Sequence, residues 1–360
     1  MRILQVITDT DRRGAQVFAL HLGVGLGALD HRVETVALAP GVIGGLAVPV
    51  LGSRRRSPGS LLALRRRMAS ADVTIAHGST TGPLCALAGS GIGRPFVYRQ
   101  ISDSRFWAPT PTRRALVRHT LGRARLVVAL SEQNRQDLVE WIGLPADRIR
   151  VVPNGAPAAD FPPTTAATRT TARAALGLAD RPTVVSVGAL APEKGVDLVI
   201  EAVAQVPGIQ LLVAGDGPER GRLEQLARDR APGRVHFAGP LARSLDAFHA
   251  ADVVVLASRG GDVMPATLIE AGFCGLPTVA TAVGAIADVV VDRATGFVVP
   301  PGDLAGFTAA LQRLTDDAAL RDELGAKARA HCLAHFDLTP VARAWAEVLA
   351  EVSDPARPRT

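Results

Sequence analysis

Short apolar runs rich in Val, Ile and Leu recur along the chain, and the segments between them carry apolar residues at helical spacing. A short apolar run bounded by turn residues predicts a buried strand. Regular alternation of such strands with helices predicts parallel, doubly wound sheets. The strands predicted in the first part of the chain are Arg2–Ile7, Arg32–Leu38, Ala47–Leu51, Asp72–His77, Pro95–Arg99, Arg125–Leu130 and Arg148–Val152.

The alternation stops over residues 157–182, which are rich in Ala, Thr and Pro and lack a strand pattern. We interpret this stretch as a linker with one short helix, Thr168–Leu176. The sequence therefore predicts one domain over residues 1–156 and a second over residues 183–337, followed by a last helix over residues 338–353. The strands predicted in the second domain are Thr183–Val187, Ile209–Ala214, Val235–Phe237, Asp252–Leu256, Thr278–Ala280 and Gly296–Val299.

Composition agrees with two soluble domains. The chain has 360 residues and 48% hydrophobic residues, which is enough for two cores. Its first residues lack the apolar region of a signal peptide, and the long uncharged run Val36–Ser53 is interrupted by prolines and glycines. We therefore expect a cytoplasmic protein. The three cysteines share no close spacing, so neither a disulfide framework nor a zinc site is indicated.

The charge is unevenly distributed along the chain. Residues 1–160 contain 21 Lys+Arg and 11 Asp+Glu, a net charge of +10, whereas residues 161–360 contain 19 and 23, a net charge of −4. A basic half predicts an anionic partner, such as a phosphorylated acceptor, an anionic membrane surface or a nucleic acid. The segment Arg54–Met68 carries two arginine triplets around a leucine core. It is either a solvated surface helix or a helix that faces an anion or a membrane.

The stretch from Ala251 to Ala282 carries the clearest chemistry. A predicted strand is followed by the glycine-containing turn Ser258–Asp262 and by an apolar helix over Met264–Phe273. Within that helix lies the carboxylate of Glu270, which is costly to bury unless a partner bonds to it. Asp262 could serve only as a helix cap, and Glu270 could pair with a structural arginine. A strand, a glycine turn and a helix also form the unit that points helix amides at an anion.

Other candidates lie where predicted strands end. Lys194, one of two lysines in the chain, lies at the start of a helix predicted over Glu193–Gln205. A lysine is unfavourable at that end of a helix dipole, so a bound anion would explain it. Gly14 lies near the start of the first helix, where a phosphate could approach. His77 ends a strand, either as a structural histidine or facing a ligand.

The stretch around Glu270 resembles the acidic motif of retaining GT-B glycosyltransferases of family four. That motif has two glutamates separated by seven residues, then Ala-x-x-x-Cys-Gly-x-Pro, and here Asp262 replaces the first glutamate. Segment Val187–Gly195 resembles the family's Gly-Arg-Leu-x-x-Glu-Lys-Gly, with Ala189 in place of arginine. Further similar segments are Val152–Gly155, Ala214–Pro218, Phe237–Leu241, Gly284–Asp288 and Thr295–Pro300.

The resemblance implies a GT-B fold, with two Rossmann-like domains facing across a cleft. Residues 183–337 would bind a nucleotide-diphosphate sugar of the UDP or GDP type. Residues 1–156, with the last helix packed back on them, would present the acceptor. The implied reaction is sugar transfer with retention at the anomeric carbon, without a metal or a cofactor.

The resemblance also implies roles for individual residues. Glu270 would bond the ribose hydroxyls and Lys194 the diphosphate, while Asp262 would hold the sugar hydroxyls and His77 would face the sugar. The remaining predicted donor-binding residues are Gly14, Gly188, Gly215, Gly239, Leu241, Met264, Pro265, Thr267 and Leu268.

Two alternatives remain open at this point. Ala189 and Asp262 depart from the family pattern, which is what a non-catalytic partner protein with this fold would show; Arg259 could replace the missing arginine. A nucleotide-sugar epimerase is the second alternative. The expected partners are a nucleotide sugar and an anionic or lipid-linked acceptor, with peripheral contact to an anionic membrane through Arg54–Arg67 and no nucleic acid. The Asp9-Thr10-Asp11 triplet matches a metal-binding pattern of another fold, and we discount it.

Overall fold

The computed structural model describes residues 1–42 and 44–353, and it divides into two compact units. Unit 1 comprises residues 1–156 together with the segment that begins at Leu338, and unit 2 comprises residues 157–337. Each unit is built around one six-stranded sheet in which every paired strand is parallel. The apolar runs thus form buried strands, as a doubly wound sheet requires.

The sheet of unit 1 has the strand order β2-β1-β3-β4-β5-β6. Its strands are β1 (Arg2–Ile7), β2 (Arg32–Ala37), β3 (Val73–His77), β4 (Phe96–Arg99), β5 (Leu126–Ala129) and β6 (Ile149–Val151). Its helices are α1 (Gly14–Gly27), α2 (Pro58–Ser70), α3 (Thr81–Ala88), α4 (Ser104–Trp107), α5 (Pro111–Leu121), α6 (Glu132–Asp137), which continues as a π-helical turn over Leu138–Ile142, and the C-terminal α15 (Leu338–Ser353).

Apolar side chains cover both faces of this sheet. On one face α1 and α15 pack together through residues that include Phe18, Leu22 and the fully buried Trp345. On the other face α2 and α3 contribute Leu64 and Cys85 to a second cluster. The last helix is therefore an integral part of the core of unit 1.

The sheet of unit 2 has the order β12-β11-β10-β7-β8-β9. Its strands are β7 (Thr183–Val187), β8 (Gln210–Ala214), β9 (Val235–Gly239), β10 (Val253–Leu256), β11 (Thr278–Thr281) and β12 (Gly296–Val299). Its helices are α7 (Ala166–Ala175), α8 (Val196–Gln205), α9 (Arg220–Arg230), α10 (Ser244–Ala250), α11 (Ala266–Phe273), α12 (Ile286–Val289), α13 (Leu304–Asp316) and α14 (Ala318–Phe336).

Each sheet has a point at which the order of its strands reverses. In unit 1 the chain passes from β1 to β2 on one side and then places β3 on the other side of β1. In unit 2 the chain builds β7, β8 and β9 outward and then returns to place β10 beside β7. Ligands of open parallel sheets bind at the carboxyl ends of the strands beside such a switch point. The fold thus singles out β1/β3 in unit 1 and β7/β10 in unit 2.

One predicted strand was wrong, and one predicted helix begins later than expected. Ala47–Leu51 is not a strand: it makes only an isolated bridge between Ala37 and Val50, and Pro49 has no amide hydrogen with which to continue a ladder. The helix predicted from Glu193 begins at Val196, because Gly195 adopts a φ of 63° and ends a separate 3-10 turn. Among the described residues, no helix combines the length and apolarity needed to cross a membrane.

Candidate functional site

Three glycine turns at the carboxyl edge of the unit 2 sheet pack backbone against backbone. A Cβ atom on Gly215 would lie 1.8 Å from the carbonyl oxygen of Gly188, and one on Gly217 would lie 2.4 Å from that of Leu190. The amide of Gly188 donates to Ala214, and the amide of Gly215 donates to Gly239. Side chains at Gly215 and Gly217 would therefore force the turns after β7 and β8 apart.

Lys194 is held at the switch point of unit 2 by the turn that precedes α8. A Cβ atom on Gly195 would lie 2.0 Å from the carbonyl oxygen of Ala257, so this turn contacts the end of β10 directly. The Nζ atom of Lys194 donates to Oδ1 of Asp262 at 2.5 Å, and the side chains are 22% and 15% exposed. The structure thus joins two candidate residues that lie far apart in the sequence.

Asp262 is fixed from two further directions. The hydroxyl of Ser258, which is fully buried after β10, donates to Oδ2 of Asp262 at 2.5 Å. The turn after β11 also approaches closely, since a Cβ atom on Gly284 would lie 2.3 Å from the carbonyl oxygen of Asp262. Both carboxylate oxygens of Asp262 therefore accept a hydrogen bond, one of them from a cation.

Glu270 lies in α11 and is only 8% exposed. The hydroxyl of Ser244, the first residue of α10, donates to its Oε2 at 2.8 Å. Burial and the nearby Glu270 carboxylate raise the pKa of the Cys274 thiol to about 12. The apolar helix α11 thus holds a carboxylate whose negative charge disfavours ionisation of the neighbouring Cys274 thiol.

Four of the predicted donor-binding residues lie in the first turn of α11 or just before it. Pro265 occupies the cap position, and no side chain of the described residues caps this end of the helix. Met264 and Leu268 are buried, whereas Thr267 is half-buried. The side chains of Met264 and Leu268 therefore anchor the helix, and it is the backbone of this turn that is suited to meet an anion.

Gly239 is the last residue of β9, and Leu241 follows the strand. Gly239 has a φ of 71°, a conformation that favours glycine. Leu241 is half-buried and lines a pocket of 440 Å³ together with residues of α7 and α10, among them Thr168 and His249. This pocket thus adjoins Phe237–Leu241, one of the segments that resemble the glycosyltransferase family.

The guanidinium of Arg259 is occupied by contacts within unit 2. It donates to the carbonyl oxygen of Pro192 and forms a 2.8 Å ion pair with Asp197. These contacts brace the turn that carries Lys194. Ala189, where the family has arginine, is exposed.

The candidates of unit 1 have different environments. His77 ends β3, is 2% exposed, and its Nε2 atom lies 2.9 Å from Oε1 of Gln5. Burial, together with the Arg99 guanidinium, holds the pKa of His77 well below its usual value. This environment favours the structural alternative for His77. Gly14 is the first residue of α1, and a Cβ atom there would meet no atom of the described residues within 4 Å.

The aspartates of the Asp9-Thr10-Asp11 triplet hold loops together. Asp9 accepts from the Gln16 amide group and from Arg55, and Asp11 accepts from Arg13 and the Gly44 amide. Within the described part of the chain, no group of three or more His, Cys, Asp or Glu residues is arranged to hold a metal ion.

Sequence reasoning missed Ser244 and Ser258, the two hydroxyls that bond the candidate carboxylates. Ser258 directly follows the apolar run of β10, a position that could have drawn attention to it. Ser244 had no comparable signal, because its partner Glu270 lies 26 residues later.

The comparisons with known proteins agree with this architecture. The family model for glycosyl transferases group 1 matches residues 168–331, and that for glycosyltransferase family 4 matches residues 12–159. An alpha-D-kanosaminyltransferase from Streptomyces kanamyceticus is 30% identical over 72% of this chain and 72% of its own length. A GDP-mannose-dependent phosphatidylinositol monomannoside mannosyltransferase from Mycolicibacterium smegmatis is 31% identical over 69% of this chain and 67% of its own length.

Other relatives match over as little as 24% of their own length. Among solved structures, HepE from Anabaena in complex with UDP-glucose superposes with a TM-score of 0.87 at 22% identity, covering 98% of this chain and 100% of that one. At this identity the likeness shows the fold.

The comparisons do not favour a non-catalytic partner protein or an epimerase. The chain belongs to the family-four, group 1 glycosyltransferases, and is a retaining glycosyltransferase with the GT-B fold.

Proposed function

We propose that unit 2 binds a nucleotide-diphosphate sugar at the carboxyl edge of its sheet, and that the Lys194–Asp262 pair marks the position of the diphosphate and the sugar. The observation that carries this proposal is the position of the pair at the β7/β10 switch point. An ammonium group has three N–H donors, and Asp262 accepts one of them. Lys194 therefore retains donors for a phosphate oxygen while it still positions Asp262.

In this proposal each residue has a separate task. Lys194 and the backbone of the first turn of α11, at Thr267 and Leu268, stabilise the negative charge that develops on the leaving diphosphate. Asp262, with the backbone at Met264 and Pro265, orients the sugar hydroxyls. Glu270, already bonded to Ser244, accepts from the ribose hydroxyls. The turns at Gly188, Gly215, Gly239 and Leu241 shape the donor site.

The reaction exchanges one bond of the anomeric carbon for another. The bond from this carbon to the diphosphate oxygen breaks, and a bond to an acceptor hydroxyl oxygen forms on the same face. The proton of the acceptor hydroxyl passes to the departing phosphate oxygen. Retention then needs no protein nucleophile, and charge neutralisation by Lys194 and helix amides replaces a metal ion.

We propose further that the acceptor is bound by unit 1 and carries an anionic group. The excess of positive charge in residues 1–160 supports this proposal. Relatives that include a D-inositol 3-phosphate glycosyltransferase and a phosphatidylinositol monomannoside mannosyltransferase make soluble and lipid-linked anionic acceptors suitable probes. A lipid-linked acceptor would bring the chain to a membrane surface through the basic segment 54–67.

The donor assignment is tested by calorimetry with UDP, GDP, UDP-glucose and GDP-mannose. We expect Lys194→Ala and Glu270→Ala each to weaken binding of the preferred nucleotide sugar by about 1.5–3 kcal/mol, because each removes a charge-assisted contact. Lys327→Ala and Glu323→Ala are matched controls, since these residues form an exposed pair on α14. Unchanged donor affinity in both site variants would contradict the assignment.

A further inference from the structure

A pocket of 520 Å³ lies at the carboxyl edge of the unit 1 sheet. Ala39 and Pro40, just after β2, form one side of it, and Thr80, just after β3, forms another. Ser53 and the consecutive residues Arg54, Arg55 and Arg56 complete the lining, and we call this site the arginine pocket. The strands that border it flank β1, so the arginine pocket lies at the switch point of unit 1.

Arg55 is held in the arginine pocket by a buried carboxylate. Its Nη2 atom donates to Oδ2 of Asp9 at 2.7 Å, and the side chain of Asp9 is fully buried. Asp9 also accepts from the amide of Asp11 and from Nε2 of Gln16. The Arg55 side chain remains 44% exposed, and a guanidinium has five N–H donors. Asp9 is therefore a positioning residue that fixes Arg55 and leaves donors free for a ligand.

Among the described residues, Arg54 and Arg56 have no carboxylate partner comparable to Asp9. Both are exposed, and in the described part of unit 1 neither guanidinium is paired with a carboxylate. The backbone beneath them is nonetheless fixed, because the Ser60 hydroxyl and the Ser57 amide both donate to the carbonyl oxygen of Arg54. Three adjacent cations on a fixed loop repel one another, and an anion that binds between them removes that repulsion.

The second arginine triplet of this segment is used differently. Arg65 donates to the carbonyl oxygens of Ala88 and Ser90, and Arg67 pairs with Glu34. Two of its three guanidiniums are thus occupied by contacts within unit 1. The positive charge available to a ligand is concentrated at residues 54–56 rather than spread along α2.

We propose that the arginine pocket binds the phosphate group of the acceptor. This inference rests on the proposed function and deepens it, because it assigns the site and the chemical class of the anionic group. Arginine presents paired donors that match the oxygens of a phosphate. A pocket of 520 Å³ lies within the size range of small-molecule sites. It therefore accommodates a phosphate together with part of the group that it esterifies, either a soluble phosphate ester or a phospholipid headgroup.

The test measures the binding of inorganic phosphate and glucose 6-phosphate by calorimetry. The full chain carries Lys194→Ala, so that the lysine of the proposed donor site does not contribute. We expect Arg54→Gln/Arg56→Gln to weaken binding at least about tenfold, because two charge-assisted contacts are lost. Arg113→Gln/Arg123→Gln removes the same charge from exposed arginines of unit 1 outside the pocket, and should keep the affinity.

Flotation with phosphatidylcholine vesicles, with and without phosphatidic acid, distinguishes the two sources of phosphate. If the protein floats with vesicles that contain phosphatidic acid, and only Arg54→Gln/Arg56→Gln abolishes this, the ligand is a lipid headgroup. If the protein binds glucose 6-phosphate but does not float with the vesicles, the ligand is a soluble phosphate ester. The assay is run at low and at physiological salt, because screening weakens exposed charge contacts. Equal losses in both double variants, or no binding of any of these probes, would overturn the proposal.

The affinities for UDP and GDP are measured for the double variants without the Lys194 change. Unchanged nucleotide affinity together with lost phosphate binding keeps the arginine pocket separate from the donor site. A parallel fall in nucleotide affinity overturns the inference. Failure of the Lys194→Ala and Glu270→Ala test would contradict the donor assignment alone, since phosphate binding to the arginine pocket is measured independently.

Discussion

The switch points of the two units differ in how far their positive charges are neutralised by carboxylates. At the switch point of unit 2, Lys194 pairs with Asp262 and the neighbouring Arg259 pairs with Asp197. At the switch point of unit 1, Arg55 pairs with the buried Asp9, while Arg54 and Arg56 have no carboxylate partner among the described residues. The topology of a parallel sheet creates a ligand-binding edge, and the local charges decide which ligand is favoured there.

The comparison also separates two kinds of anion site. In unit 2 the cation is partly shielded and held by its carboxylate, so binding depends on geometry and on the remaining donors of the ammonium group. In unit 1 the guanidiniums are exposed, so their attraction for an anion is long-ranged and sensitive to salt. A substitution that changes the charge pairing at one site should therefore leave the affinity of the other unit for its ligand unchanged.

The largest expected effect comes from Asp262→Asn. We expect turnover to fall about a hundredfold or more, as for loss of one preorganised polar contact in an active site. UDP or GDP affinity should stay the same or rise, because Lys194 loses its carboxylate partner and its ammonium becomes more available. Turnover assays with a nucleotide sugar and calorimetry with the nucleotide measure the two quantities separately. Equal losses in both would mean that Asp262 serves the nucleotide rather than the sugar, and the comparison would then fail for unit 2.

The glycine turns offer a sharper structural contrast. Gly215→Ala should lower the free energy of unfolding by about 2 kcal/mol or more, because its Cβ atom would collide with the Gly188 carbonyl oxygen at a φ of 142°. Gly14→Ala should change it by about 0.5 kcal/mol or less, since the space around Gly14 is open. Denaturant titration of both variants measures the difference. Similar destabilisation by the two changes would show that the turn after β1 is as closely packed as the turn after β8.

The smallest expected effect concerns His77, the buried histidine that ends β3 of unit 1. Burial and Arg99 lower the pKa of His77, so the unfolded chain binds its proton first, at about pH 6.5. The stability that neutral His77 allows is complete above about pH 6.5 and is lost as the pH falls below it, by up to about 1.4 kcal/mol per pH unit. We expect His77→Gln to lose less stability than the parent chain between neutral and mildly acidic pH.

Thermal or denaturant unfolding at several pH values measures that difference, and the parent chain controls for the other histidines. If His77→Gln instead keeps the same pH dependence of stability and loses turnover, His77 acts on the substrate. That outcome would return it to the sugar-facing role that the resemblance implied.

Much of the fold was predictable because strands in a parallel sheet leave a local pattern. Nearly every apolar run that predicted a strand forms one, within a residue or two of its bounds. The exception is Ala47–Leu51, which lies along β2 through a single bridge and contains a proline that cannot continue a ladder. Helix α3 was not predicted, since its eight residues are too few for a clear helical period and tertiary packing maintains it. Helix α5 was not predicted either.

The sequence by itself determined the doubly wound architecture, the excess of positive charge in its first half and the identity of the acidic segment that contains Asp262 and Glu270. These are properties of local patterns and of composition. Only the tertiary structure decided that Lys194 meets Asp262 and that Ser244 meets Glu270. It also decided that Arg54 and Arg56 have no carboxylate partner among the described residues, whereas two arginines of the second triplet are occupied. Such pairings depend on the order of strands in a sheet, which sets non-local distances that no short pattern in the sequence encodes.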